Sequence, residues 1–151
     1  MIEHDFYVKT HWEGGRNATG QISADHLNHE FSIPSELNGR GVGTNPDELL
    51  ISAASGCITI SLAATLERAR LTFSKLIVNS KGTASLNDGL FKMEKIVHEP
   101  FIYVKTPSQK EKIENRIDRL IKISEQNCMV SNSLRHNVKI LIYPQVILES
   151  H

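Results

Sequence analysis

Cys57 and Cys128 are the two cysteines of a 151-residue chain, and they carry the one chemistry its residues put forward. A thiol of ordinary pKa, ~8.5, is only a few per cent ionised at neutral pH, and the thiolate is the nucleophile. Each cysteine therefore has to be judged by what surrounds it. Cys57 falls inside a long apolar run. Cys128 follows Asn127, which can cap a short helix beginning at Cys128 and ending near His136-Asn137. A thiol in a first helical turn has its pKa lowered by the helix dipole, so on the residues alone either cysteine could be the attacking one. The plain alternative is that a cysteine in an apolar helix is a small buried hydrophobe. Likewise Arg16, in the Gly-rich stretch Glu13-Gly14-Gly15-Arg16-Asn17, has the setting of a solvated turn residue, and Asp47 and Glu48 are what any helix start prefers.

The element that must position Cys57 is the stretch from Asn45 to Leu71. Asn45 reads as an N-cap and Pro46 as the first helical residue, with Asp47 and Glu48 placing negative charge in the first turn. From Leu49 to Leu66 no charge interrupts the run, which makes the helix apolar nearly all round. That run is 18 residues with five Ser or Thr and a Gly, marginal for a hydrocarbon core ~30 Å thick. A buried central helix is the expectation.

Ahead of it, Phe6 to Trp12, Thr19 to Ser23 and His29 to Ile33 read as three short strands, followed by a loop from Pro34 to Thr44. Beyond it, Leu76 to Ala84 and Phe91 to Lys105 read as a hairpin turning at Asn87-Asp88-Gly89, the second strand one-sided or bulged. Pro107-Ser108 opens a second helix, Gln109 to Gln126, with Ile113, Ile117, Leu120, Ile121 and Ser124 on one face. Val138 to Ile147 alternates as a last strand broken by Pro144. The order βββαββααβ is α+β, and no linker divides residues 1–151 into domains. A sheet covers one face of a helix that is apolar all round, so a second copy of the chain is the most economical cover for the rest.

Lys plus Arg equals Asp plus Glu, 17 each, which leaves no basic field for nucleic acid or an anionic membrane. Seven scattered His offer no metal-ligand spacing. Two distant thiols are no disulfide framework, and Met1 to Tyr7 has no export leader, so a reduced, cytoplasmic setting is expected.

Three motifs, GGRNATG at 14–20, GVGTNPDELLISAASGC at 41–57 and NCMVSNSL at 127–134, resemble the OsmC/Ohr family of osmotically inducible protein C and the organic hydroperoxide resistance proteins. The resemblance covers nearly the whole chain. It implies an OsmC-like fold, antiparallel sheets wrapped around the central helix in an intertwined homodimer with active sites at the interface. It also implies a thiol peroxidase for organic hydroperoxides, needing no metal, haem or flavin, in which Cys57 attacks the peroxide, Cys128 resolves the sulfenic acid as a disulfide, and a lipoyl-type dithiol is the reductant. Arg16 then takes the place of the family's activating arginine and Asp47 that of its acidic partner. Two positions depart from the family's usual pattern: Asp47 stands where Glu is usual, and Met129 follows the second cysteine where Pro is usual. A different class of reading keeps the fold but not the catalysis, as a dimeric module that binds a small ligand or senses redox state.

The electrostatics of such a site can be bounded. Lowering a thiol from ~8.5 to ~6 needs about 3.4 kcal/mol of preferential stabilisation of the anion. Cys57 is about 16 Å along the axis from Pro46, beyond the reach of the helix terminus, and an exposed ion pair at ~0 to 1 kcal/mol is too weak. A partly buried cation hydrogen-bonded to sulfur remains, a role for which Arg is better suited than Lys. Asp47 and Cys57 stand roughly 15 Å apart on a straight helix, so one guanidinium serving both points to helices from two subunits or to a broken helix.

Overall fold

A computed structural model of the chain describes residues 1–149. It groups into two compact units, residues 1–50 and the residues from Ile51 on.

The first unit is built on a three-stranded antiparallel sheet of β1 (Lys9–Trp12), β2 (Gly20–Ser23) and β3 (Asn28–Phe31) in the order β1-β2-β3. Gly20 sits in a slot that only glycine fits, because a Cβ there would lie 2.5 Å from the carbonyl of His11 and 2.6 Å from the Trp12 ring. Trp12 and Phe31 consequently meet at 5.3 Å between ring centroids. The strands begin and end within a few residues of their sequence-based bounds. The Pro34 to Thr44 loop contains a 3-10 turn, Ser35–Leu37, closed by Asn38 in the left-handed region.

Helix α1 (Pro46–Arg68) starts where Asn45 directs it: the Glu48 amide donates to Asn45 Oδ1 at 2.8 Å. It ends with Arg70 at φ 58, Arg70 N–H on Glu67 O and Leu71 N–H on Leu66 O, a Schellman closure with arginine in the place glycine usually takes. By length and composition α1 could cross a membrane. One of its faces is instead packed: Ala54, Ile58, Ser61, Leu62, Thr65 and Leu66 are buried. Ser52, Ala53, Gly56 and Ile60 on the other side are exposed, Ile60 at 72%.

The second sheet has β5 (Leu90–Val104) at its centre, paired antiparallel with β4 (Lys75–Asn87) through a two-residue turn at Asp88-Gly89, both at positive φ. Between the Thr83–Lys95 and Ala84–Met93 pairs Glu94 is left over, the bulge that the charged stretch suggested. Antiparallel sheets were expected throughout, but β6 (Lys139–Ile142) and β7 (Gln145–Leu148) lie parallel to β5, end to end along it. The chain leaves β5 through three helices, and a helical crossover returns it to the end from which β5 began. Pro144, which has no amide hydrogen, falls between the two segments.

The second helix is two, α2 (Pro107–Glu114) and α3 (Ile117–Gln126), because Asn115-Arg116 breaks the ladder with Arg116 at φ −122. A third, α4 (Met129–Leu134), follows at once. Leu62, Leu66, Ile102, Val104, Ile113 and Leu120 form the main core, and Ala54, Ile96 and Val138 a smaller one.

Candidate functional site

Cys57 stands in the middle of α1, half-buried, beyond any influence of the helix ends. Cys128 is fully buried. It is not in the first turn of a helix, as its position after Asn127 suggested. Asn127 closes α3, and Cys128 is itself the N-cap of α4, its sulfur accepting from Ser131 N–H at 3.5 Å and from Ser131 Oγ–H at 3.1 Å.

Contrary to the expectation from a helix dipole, Cys128 is not made acidic. Burial pushes its thiol up, and a hydrogen bond with the Cys57 side chain pushes the same way; the two Ser131 donors pull down without overcoming them. Two consequences follow. Cys128 is held protonated at neutral pH, and the two thiols, both free, are in hydrogen-bonding contact.

What brings them together is a seam between antiparallel helices. Ser61, one turn after Cys57, donates its hydroxyl to the carbonyl of Ser124, one turn before Cys128, at 2.5 Å. Thr65 Oγ1–H donates to Ser61 O and Ser124 Oγ–H to Leu120 O, both at 2.7 Å, so each helix is also braced along its own axis. Advancing along α1 while retreating along α3 gives the pairs Cys57–Cys128 and Ser61–Ser124 in successive turns, which fixes the helices against sliding. In the sequence Ser61 is one of several small residues in the apolar run, and Ser124 is one position on the packed face of its helix. Their i+4 and i−4 spacing from the cysteines becomes meaningful only once the helices are known to be antiparallel neighbours.

Arg16 and Asp47 belong to the first unit. Arg16 lies within a turn closed by Ala18 N–H on Gly15 O at 3.1 Å, the same carbonyl that accepts from Trp12 Nε1–H at 3.2 Å. Its guanidinium donates to Asn38 O at 3.0 Å and to Leu37 O at 2.5 Å. Two of its five donors are thus spent on the 3-10 turn, which fixes its direction. Asp47 is exposed in the first turn of α1, at the rim of an apolar cavity of about 220 Å³ lined by Trp12, Phe31, Ile33, Pro34 and Leu37. Among the described residues Arg16 and Asp47 make no ion pair with each other.

One titratable residue escaped the sequence reading. His98 is wholly buried on β5, its Nδ1 2.7 Å from Ser80 Oγ on the facing strand and its Nε2 without a partner. Burial holds its pKa down, so it is neutral in the folded chain. The signal was available: Ile96, His98, Pro100, Ile102 and Val104 alternate along one buried face, and a histidine in that register must be desolvated.

Comparison with known proteins adds a pedigree to this geometry. The OsmC-like protein family matches residues 38–142. The Bacillus subtilis protein YmaD is 37% identical over 148 residues, 98% of either chain. Among solved structures, an organic hydroperoxide resistance protein OsmC from Legionella pneumophila superposes with a TM-score of 0.76 at 19% identity, covering 95% of this chain and 100% of that one. OhrB of Bacillus subtilis superposes at 0.69 with 20% identity, over 93% and 98%. Likeness at that level of identity speaks for the fold.

Proposed function

Since the chain belongs to the OsmC-like family, we propose that it is a thiol peroxidase that reduces organic hydroperoxides. The observation that carries this reading is the hydrogen-bonded contact of two free thiols, one half-exposed and one buried. Cys57 takes the attacking role because a peroxide can reach it, whereas Cys128 is sealed and protonated. Its thiolate attacks the distal oxygen of the hydroperoxide; an S–O bond forms, the O–O bond breaks, and the alcohol departs with a proton. Cys57 is left as a sulfenic acid. Cys128 then attacks the sulfenic sulfur, the hydroxyl leaves as water with the Cys128 proton, and the Cys57–Cys128 disulfide results. Two electrons and two protons from an external dithiol, lipoyl-type by family resemblance, restore both thiols by exchange.

In this proposal Arg16 stabilises the Cys57 thiolate and Asp47 is its acidic partner, while a second copy of the chain covers the exposed Ser52, Ala53, Gly56 and Ile60 face of α1. The setting is a reducing one, the cytoplasm. Titrating free thiols after adding an alkyl hydroperoxide to the reduced protein tests the chemistry: both should be lost for each equivalent consumed, and their survival would end the proposal. Light scattering tests the dimer against the 16.9 kDa chain mass.

The apolar cavity beside Asp47 favours a second reading, a dimeric module that binds or senses a small ligand without turnover. The two readings part at Cys57→Ser, which removes peroxide protection only if the first is right.

A further inference from the structure

The same seam that holds the cysteines ends, about 16 Å further along α1, in a different kind of place. Arg68 from the last turn of α1, Arg116 at the N-cap of α3 and Arg119 in its first turn line a cavity of about 240 Å³, with Ala69, Leu120 and Ile123 as apolar wall. Exposed arginines are usually solvated singly, or paired with a carboxylate. Here, among the described residues, none of the three guanidiniums has a hydrogen-bond or ion-pair partner. The nearest acids in sequence, Glu67 and Asp118, are exposed and do not line the cavity.

Three positive charges around one concavity repel one another, and an anion between them relieves that repulsion while each guanidinium fork offers paired donors to its oxygens. The start of α3 adds to the field, since no side chain caps it and its dipole presents positive charge. We propose that this cavity is a binding site for a phosphate-type dianion, either free phosphate or a phosphate monoester whose organic part rests on Leu120 and Ile123. The site stands apart from the thiol chemistry, and neither depends on the other.

Calorimetric titration of the reduced full-length protein with inorganic phosphate, and separately with glycerol phosphate, tests it, with chloride holding ionic strength constant. Saturable binding of at least one is expected. It should weaken about ten- to a hundred-fold in Arg119→Gln and in Arg116→Gln, less in Arg119→Lys, which keeps charge without the fork, and stay unchanged in Lys139→Gln, which removes an exposed charge elsewhere. Tighter binding of glycerol phosphate identifies an organic phosphate as the occupant, and equal binding identifies free phosphate. No saturable binding of either probe, or undiminished affinity in both Arg→Gln variants, overturns the proposal.

Discussion

The two ends of the α1–α3 seam are made of the same material and behave oppositely. At one end Cys57 and Cys128 meet where burial keeps Cys128 neutral, and the Ser61 and Ser131 hydroxyls beside them are hydrogen-bonded within the chain. At the other, Arg68, Arg116 and Arg119 line a cavity and make no ion pair among the described residues. The difference teaches that solvent access, more than helix position, sets the chemistry of each end. Water screens the repulsion among three exposed arginines to a tolerable cost, whereas desolvation, reinforced by the hydrogen bond with Cys57, keeps the buried Cys128 thiol from ionising.

The strongest way to break the comparison is Cys57→Ser. It should abolish hydroperoxide-dependent thiol loss while phosphate binding at the arginine end stays as it was; loss of both would mean the ends are coupled. Next, Arg16→Lys should slow oxidation of Cys57, and Arg16→Ala should slow it more, on the order of ten- to a hundred-fold at neutral pH. Stopped-flow oxidation measures it, and an unchanged rate would remove Arg16 from the site. Ser61→Ala strikes the pin between the two ends by leaving the buried Ser124 carbonyl without its donor, at about 1–3 kcal/mol. A fall in Tm of several degrees and slower disulfide closure at unaltered first oxidation should be seen together. Alkylation with iodoacetamide should label Cys57 well before Cys128 in the native protein, since Cys128 is sealed and held as the thiol.

The smallest effect concerns His98. Its folded pKa is depressed, so below about pH 6.5 the unfolded chain takes up a proton that the native chain refuses, and stability falls from there down to the lowered native value. Above that window His98 contributes no slope. In His98→Gln the fall in Tm between neutral and mildly acidic pH should be shallower than in the wild type.

What the sequence made legible was local. Asn45-Pro46 announced α1 because a cap and a pre-set φ act within one turn, and Asn87-Asp88-Gly89 announced its hairpin because positive φ is a property of the residues themselves. Asn115-Arg116 did not announce a break, since no Gly or Pro marks it and the apolar spacing of Ile113, Ile117 and Leu120 runs straight through. Cys128 as an N-cap was hidden by Asn127, a better capping residue that spends itself on closing α3. The parallel attachment of β6 and β7 depends on where three helices leave the chain, which no local pattern encodes. The candidate site divides the same way: both cysteines could be named from their types and the motifs around them, but Ser61, Ser124 and Ser131 acquire roles only from a tertiary neighbour.

The attachment of β6 and β7 also sets an order of events in folding. β4 and β5 zip from their own turn, a local step, but β6 and β7 can join β5 only after α2, α3 and α4 have carried the chain back along it, with Lys95 meeting Lys139 and Val104 meeting Leu148. Such non-local parallel pairing has to be closed against chain entropy and is intrinsically slow. A ribosome delivers β5 well before β6, so a nascent chain waits with one edge of its longest strand bare. Until the last strands dock, that edge is the part of the molecule most exposed to pairing with the wrong neighbour.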